Sequence, residues 1–276
     1  GLMVVGLAAV ASAAAVLAPA SARAAEESIL RDTLRRSDAY SLGIHVAVPS
    51  AGAGQGIAEA RNGRFTERLV QRTLAHPAFG TARLAYAAPG TYSPTRGPLA
   101  GGKATGLLVE RAGVCARLPV VSGRCPRGAG EGLMTRRSAT LLGVRPGDLV
   151  PLPLDGSAAP GSDRVAVAQI RVVGLTDPVS VDAAYWVGQP YFSSFYPNYH
   201  PVGLGEAPPT VDPVFVGPGT SAALGVTTYT VDVPVDPGRV GLADMDTVRQ
   251  QAERVQTEAR RYLLSTDTQR EPALGR

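Results

Sequence analysis

Lysine occurs once in this chain of 276 residues, at Lys103, and the other 26 of its 27 basic side chains are arginine. Such a bias points to GC-rich codons rather than to a binding signature. Charged residues make up only 18%, and the net charge of +4 is spread along the sequence. There is no basic run and no basic patch interleaved with aromatics, so nucleic-acid binding has no support. Histidine is confined to His45, His76 and His200. No H-E-x-x-H, no G-x-S-x-G and no Asp/His cluster suited to a metal occurs. The segment Gly52-Ala-Gly-Gln-Gly56 lacks the spacing of a dinucleotide fingerprint. No G-x-x-x-x-G-K-[ST] loop occurs, so any ATPase belongs to another chain or region. These absences lead us to expect a non-catalytic protein with no cofactor and no metal site.

Glycine and proline are plentiful, at 32 and 23 residues. That favours a β-rich body with many turns over a helical bundle. Residues 1–20 are apolar and carry no charge. About 20 residues at about 1.5 Å each span the roughly 30 Å hydrocarbon layer. Two readings of this run remain. One is a retained transmembrane helix, whose small residues suit packing against other helices. The other is a signal peptide, for which Ala22-Arg23-Ala24 resembles a cleavage site. Both place the body outside the cytoplasm, and we expect the span to be retained.

Hydrophobic periodicity predicts an α+β fold. A helix is expected over 26–39, a strand over 42–48, a glycine-rich turn over 51–56 and an amphipathic helix over 64–75. Strands follow at 81–87, 106–111, 118–121, 148–154 and 164–173, with a short helix held within 131–142 that ends at Gly143. A loop-like stretch at 182–209 leads to strands at 210–216 and 227–233. A long helix over 242–264 repeats apolar residues at three- and four-residue steps. It is expected either to pack on its own domain or to form a second stalk beside 26–39.

Cys115 and Cys125 are ten positions apart. An exported location permits a disulfide, worth roughly 3 kcal/mol on the chain-entropy model. A metal or redox pair is the alternative, but the spacing is not C-x-x-C and no histidine lies nearby. Tyr185, Trp186, Tyr191, Phe192, Phe195, Tyr196 and Tyr199 gather seven of the 15 aromatics within 15 residues. They either cover a small β-subdomain or form a partner-facing surface. As the best functional candidate in the chain, Tyr185, Trp186, Tyr191, Phe192, Phe195 and Tyr196 are carried forward as that surface.

Two adjoining stretches carry a resemblance. They are Val121-Ser-Gly-Arg-Cys-Pro-Arg-Gly-Ala-Gly-Glu131 and Met134-Thr-Arg-Arg-Ser-Ala-Thr-Leu-Leu-Gly-Val-Arg-Pro-Gly-Asp-Leu-Val150. They resemble a run in the extracytoplasmic core domain of FtsX/MacB-type ABC transporter permeases. Val172-Val-Gly-Leu-Thr-Asp-Pro178 and Tyr185-Trp186 resemble its continuation in actinobacterial members. The family motif falls on Gly123, Arg124, Pro126, Glu131, Gly143, Gly147 and Asp148, and these are expected to be structural. Gly143 stands where a helix end favours a left-handed residue, and Pro146-Gly147-Asp148 is turn chemistry.

The resemblance implies a mixed α/β extracytoplasmic domain with stalk helices and a small β-rich subdomain. The layout expected is a transmembrane helix at 1–22, a stalk at 23–40 and a porter-like core at 41–125 and 205–240. The small subdomain takes 126–204, a second stalk 241–266 and a polar tail 267–276. It also implies a cell-membrane location, a separate ABC ATPase subunit, and a second permease copy or homologue as partners. Permeases of this type have further spans after the domain, so the sequence is expected to be a fragment. The competing reading is a secreted or membrane-anchored extracytoplasmic binding module with no ATPase.

Overall fold

The structure, a computed structural model, describes residues 21–48, 56–153, 167–181, 183–192, 209–224 and 228–268. Residues 21–36 are helical and form α1. Helix α2 (Ala39–Leu42) follows, capped by Asp38, whose carboxylate accepts from Ser41 N at 2.8 Å. No helix among the described residues is long and apolar enough to cross a membrane. Residues 1–20, where the span was expected, lie outside them, as do residues 51–55 of the turn expected at 51–56 and the tail from 269.

Among the described residues nine strands form one mixed sheet. In chain order they are β1 (Ile44–Val48), β2 (Arg83–Tyr92), β3 (Ala104–Arg111), β4 (Val120–Gly123) and β5 (Glu131–Thr135). Then come β6 (Leu149–Pro153), β7 (Val167–Thr176), β8 (Val214–Val216) and β9 (Thr228–Val233). The spatial order is β1-β9-β2-β3-β8-β5-β7-β4, with β6 also on β7. Antiparallel ladders join β1, β9, β2 and β3. The short β8 then links the two halves, parallel to β3 and antiparallel to β5. The ladder therefore runs without a break from the part read as the core into the part read as the small subdomain.

Helices cover the sheet where their apolar stripes dictate. In α3 (Gly56–Thr73), Gly63, Thr66 and Val70 recur at three- and four-residue steps and are buried, and Leu74 continues the stripe. This helix begins eight residues before the expected start. Asn62-Gly63 reads locally as a turn, yet Gly63 sits mid-helix where the chain crosses Tyr86. A Cβ there would stand 2.9 Å from the Tyr86 hydroxyl, so glycine is what the close approach permits.

Helix α6 (Met245–Thr268) packs over α3 and β1. Val255 is 2% exposed and joins a cluster with Val48, Val70, Leu74, Tyr229, Val231 and Val233. Ala259 is also buried, and Val248 packs against the same cluster. Over this length α6 is a helix of the domain core. Helix α1 meets the start of α6 through Glu27, whose carboxylate accepts from Leu242 N at 3.0 Å.

Residues 131–142 hold the expected short helix, preceded by a strand that was not expected. Their first part is not helical but forms β5, a central strand with Leu133 and Met134 fully buried on opposite faces. Leu and Met favour helices in isolation, but pairing with both β7 and β8 overrides that preference. Only α4 (Arg136–Leu142) is helical, and the last residue of β5, Thr135, is its N-cap. Its hydroxyl donates to Asp212 Oδ2 at 2.8 Å. The expected stop at Gly143 is observed, with φ 66°.

Placing α6 in the core predicts a sharp asymmetry. Val255→Asp buries an unpaired charge and is expected to cost about 3 kcal/mol or more, lowering Tm by roughly 10 °C. Met245→Asp, at a position 41% exposed, is expected to leave the melt almost unchanged. Thermal unfolding of the two full-length variants by circular dichroism checks this. Equal melts would remove α6 from the core.

Candidate functional site

The motif residues converge on strand β7. That strand carries one extra residue, Val173, between the pairs Gly132↔Val172 and Leu133↔Gly174. Such a bulge re-aims neighbouring carbonyls. Val173 O accepts from Arg124 N at 2.9 Å, and Val172 O accepts from Gly147 N at 2.7 Å. The two adjoining motif segments are thus fastened to consecutive residues of one strand.

In the first segment Gly123 has φ 71° and packs against the β7 backbone at Val173 and Gly174. The chain there passes too close for a side chain. Arg124 then forms a two-pronged ion pair with Glu131, Nη1 donating to Oε2 at 2.8 Å and Nη2 to Oε1. Arg127 N donates to the same Oε2 at 2.8 Å. The Arg124 guanidinium, with the Arg127 amide second, holds the Glu131 carboxyl down at about 2. The disulfide Cys115–Cys125 ties this loop to the 3-10 turn Val114–Ala116, and the Cα atoms are 5.9 Å apart. In the second segment Asp148 Oδ2 accepts from Arg145 N at 3.0 Å and from Arg96 Nη2 at 2.9 Å. Gly143 lies against the backbone of Arg96 and Gly97. Pro126 lines a cleft of about 500 Å³ with Arg64, Tyr86, Glu110 and Val216. The Glu110 carboxylate there accepts from Gly219 N and Ser221 N, both at 2.9 Å, and caps α5 (Thr220–Leu224).

The aromatic stretch corrects the sequence reading. Tyr185, Trp186, Tyr191 and Phe192 do not form a partner-facing surface; they are between 1% and 8% exposed. They pack on Val109, Leu133 and Phe215, which cover the face of the sheet opposite α3. Alternation in β3, β5 and β8 leaves apolar side chains on that face, and this loop, rather than a helix, is what covers them. Ring centroids of Trp186 lie 4.7 to 6.1 Å from those of Tyr185, Tyr191, Phe192 and Phe215. Phe195, Tyr196 and Tyr199 lie outside the described residues.

A buried polar cluster holds this aromatic cover in place, and sequence reasoning missed most of it. Arg111 on β3 and Asp232 on β9 are fully buried and paired, Nη1 to Oδ2 at 2.5 Å. Arg111 Nη2 donates to the Tyr185 carbonyl at 2.6 Å. Gln189 Nε2 donates to Asp232 Oδ1 at 2.7 Å. His45 on β1 places Nδ1 2.8 Å from the same oxygen and Nε2 3.0 Å from the Tyr40 carbonyl. Burial pushes the Tyr191 phenol up to about 12, so it stays neutral beside Arg111. The expectation that His45 is half-buried and structural matches what is seen. Both its nitrogens and both carboxylate oxygens of Asp232 are engaged, so the cluster offers no free base. The signal available in the sequence was charge set into two apolar strands, Glu110 and Arg111 ending Leu107-Leu-Val-Glu-Arg111 and Asp232 within Thr230-Val-Asp-Val233. Among the described residues, no three His, Cys, Asp or Glu side chains converge as metal ligands.

No family model matches the sequence, and no curated protein matches it. Among solved structures the chain is similar to the periplasmic region of MacB from Actinobacillus actinomycetemcomitans. That alignment covers 80% of this chain and 85% of the other at 9% identity, with a TM-score of 0.38. A likeness that weak carries no argument about function, which has to come from the chain's own residues.

Two consequences are measurable. Asp232→Asn leaves Arg111 buried without its counter-charge and is expected to cost about 3 to 5 kcal/mol. It should also shift Trp186 emission to the red as the aromatic cover loosens; unchanged stability would deny the cluster its role. Glu131 has a folded-state pKa below its unfolded one, so its contribution is complete above the ordinary carboxylate range and is lost as pH falls toward about 2. The stability gap between the native chain and Glu131→Gln should therefore close on acidification from pH 5 to 2. A gap independent of pH would contradict the ion pair.

Proposed function

We propose that the chain is the extracytoplasmic domain, with its preceding membrane helix, of an FtsX/MacB-type permease. In this reading it is a non-catalytic subunit at the cell membrane, with the residues after about 23 on the outer side. ATP hydrolysis in a separate ABC ATPase subunit moves the membrane helices. The domain passes that motion to a substrate or partner outside, as transport or as mechanotransmission. A second permease copy or homologue completes the assembly.

The observation that carries this reading is the joint fastening of the motif residues. Gly123, Arg124, Glu131, Gly147 and Asp148, which bear the resemblance, cooperate in a single clasp on the β7 bulge. Residues shared with unrelated proteins by chance have no reason to meet around one strand. A clasp of this kind makes the β4–β7 region stiff, as a domain that transmits displacement requires. The contact of Glu27 with Leu242 supports it further, since it couples α1 to the start of α6.

The test uses the complete reading frame and the ATPase encoded beside it, co-expressed and purified from membranes. A stable complex, with ATP hydrolysis by the ATPase changed when the permease is present, is the expected result. An ATPase that neither co-purifies nor changes its rate, together with a chain cut after Ala24, would favour the binding module without an ATPase.

A further inference from the structure

The phenol ring of Tyr185 is surrounded by three guanidinium groups. The Cζ atoms of Arg83, Arg111 and Arg117 lie 5.0, 5.1 and 5.5 Å from its centroid. A ring has two faces, so at least two of these cations share one. The register explains the convergence of the first two. Ala85 pairs with Arg111 and Arg83 with Asp232, which puts Arg83 and Arg111 diagonally on one face of the sheet. Arg117 arrives from the residue after the 3-10 turn, close to the disulfide.

The charges do not balance. Asp232 pairs with Arg111 and is shared with His45 and Gln189. Among the described residues neither Arg83 nor Arg117 has a carboxylate partner. The Nε atoms of Arg83 and of the 97%-buried Arg111 are themselves buried with no hydrogen-bond acceptor. A cation over a ring gains about 0.5 to 1 kcal/mol at an exposed site, a weak return for like charges held together. Buried donors without acceptors are costly to keep. Arg83 is half-buried and Arg117 exposed, so the cluster opens to solvent on one side.

We infer that Arg83 and Arg117, with Arg111 and the Tyr185 ring behind them, form a binding site for a dianionic oxyanion, a phosphate group. Two unneutralised guanidiniums match two negative charges, and arginine forks match the oxygen geometry of phosphate. The phosphate arrives either as the free ion or as a phosphomonoester whose organic part lies outward past Arg117.

The full chain is titrated with inorganic phosphate and, separately, with phenyl phosphate, at constant ionic strength set by sodium chloride. The readout is the emission of Trp186, the single tryptophan, whose ring is 4.7 Å from that of Tyr185. A saturable one-to-one response is expected, weakened about tenfold or more by Arg117→Gln and only partly restored by Arg117→Lys, which keeps the charge but not the fork. Arg117 is exposed, so its variants fold whether or not Arg83→Gln does. Tighter binding of phenyl phosphate identifies a phosphomonoester, and equal or weaker binding identifies the free ion. A response no greater than that to chloride, or one untouched by Arg117→Gln, overturns the site and reduces the three arginines to packing around Tyr185.

Discussion

A buried ion pair between Arg111 and Asp232 is the constraint on which the rest of the molecule depends. Both side chains are fully inside, and each engages more than its partner. Through them β3, β9, β1 and the aromatic loop meet at one point. Two charges taken out of water repay their desolvation only when their remaining donors and acceptors are also used. Gln189, His45 and the Tyr185 carbonyl supply those uses, all but that of Arg111 Nε. The sheet face they decorate cannot shift register without breaking them, because β2 lies between both strands, pairing Arg83 with Asp232 of β9 and Ala85 with Arg111 of β3.

The second organising feature is the bulge at Val173. One additional residue in β7 turns successive carbonyls to receive Arg124 and Gly147. The loop from Gly123 to Glu131 then closes on itself through an exposed ion pair and is tied by the disulfide to the turn at Cys115, and the turn at Gly147-Asp148 closes through Arg96. These interactions are local and strong in geometry, whereas the Arg111 cluster is long-range. One fixes the far end of the sheet and the other its middle. Strand β8, paired to both β3 and β5, joins the two regions.

What could be read from the sequence follows from the range of the interactions involved. The end of α4 at Gly143, the strand at 228–233 and the pairing of Cys115 with Cys125 depend on near neighbours or on compartment, and the sequence shows them. Of the motif residues, Arg124, Glu131 and Asp148 join ion pairs and Gly143 ends α4, while Pro126 only lines a cleft. Strand β5 was missed because Gly132-Leu-Met134 is too short to show alternation, and only pairing with β7 and β8 makes it a strand. The start of α3 was hidden because the reason for Gly63 lies across the chain at Tyr86. Arg111 and Asp232 are 121 positions apart, so neither announces the other. For the same reason a cluster of aromatics says nothing about which way it faces. Only the apolar surface of Val109, Leu133 and Phe215 decides that Tyr185, Trp186, Tyr191 and Phe192 turn inward.

The central claim is that the Arg111–Asp232 pair makes the aromatic cover and the sheet one cooperative unit. Native-state hydrogen exchange tests it directly. The amides of Trp186 and Gly188, bonded to the carbonyls of Ala183 and Val181, should open with the same free energy as those of β9. Exchange of the loop at a distinctly lower free energy than β9 would mean that the cover opens independently and that the ion pair does not hold the two together.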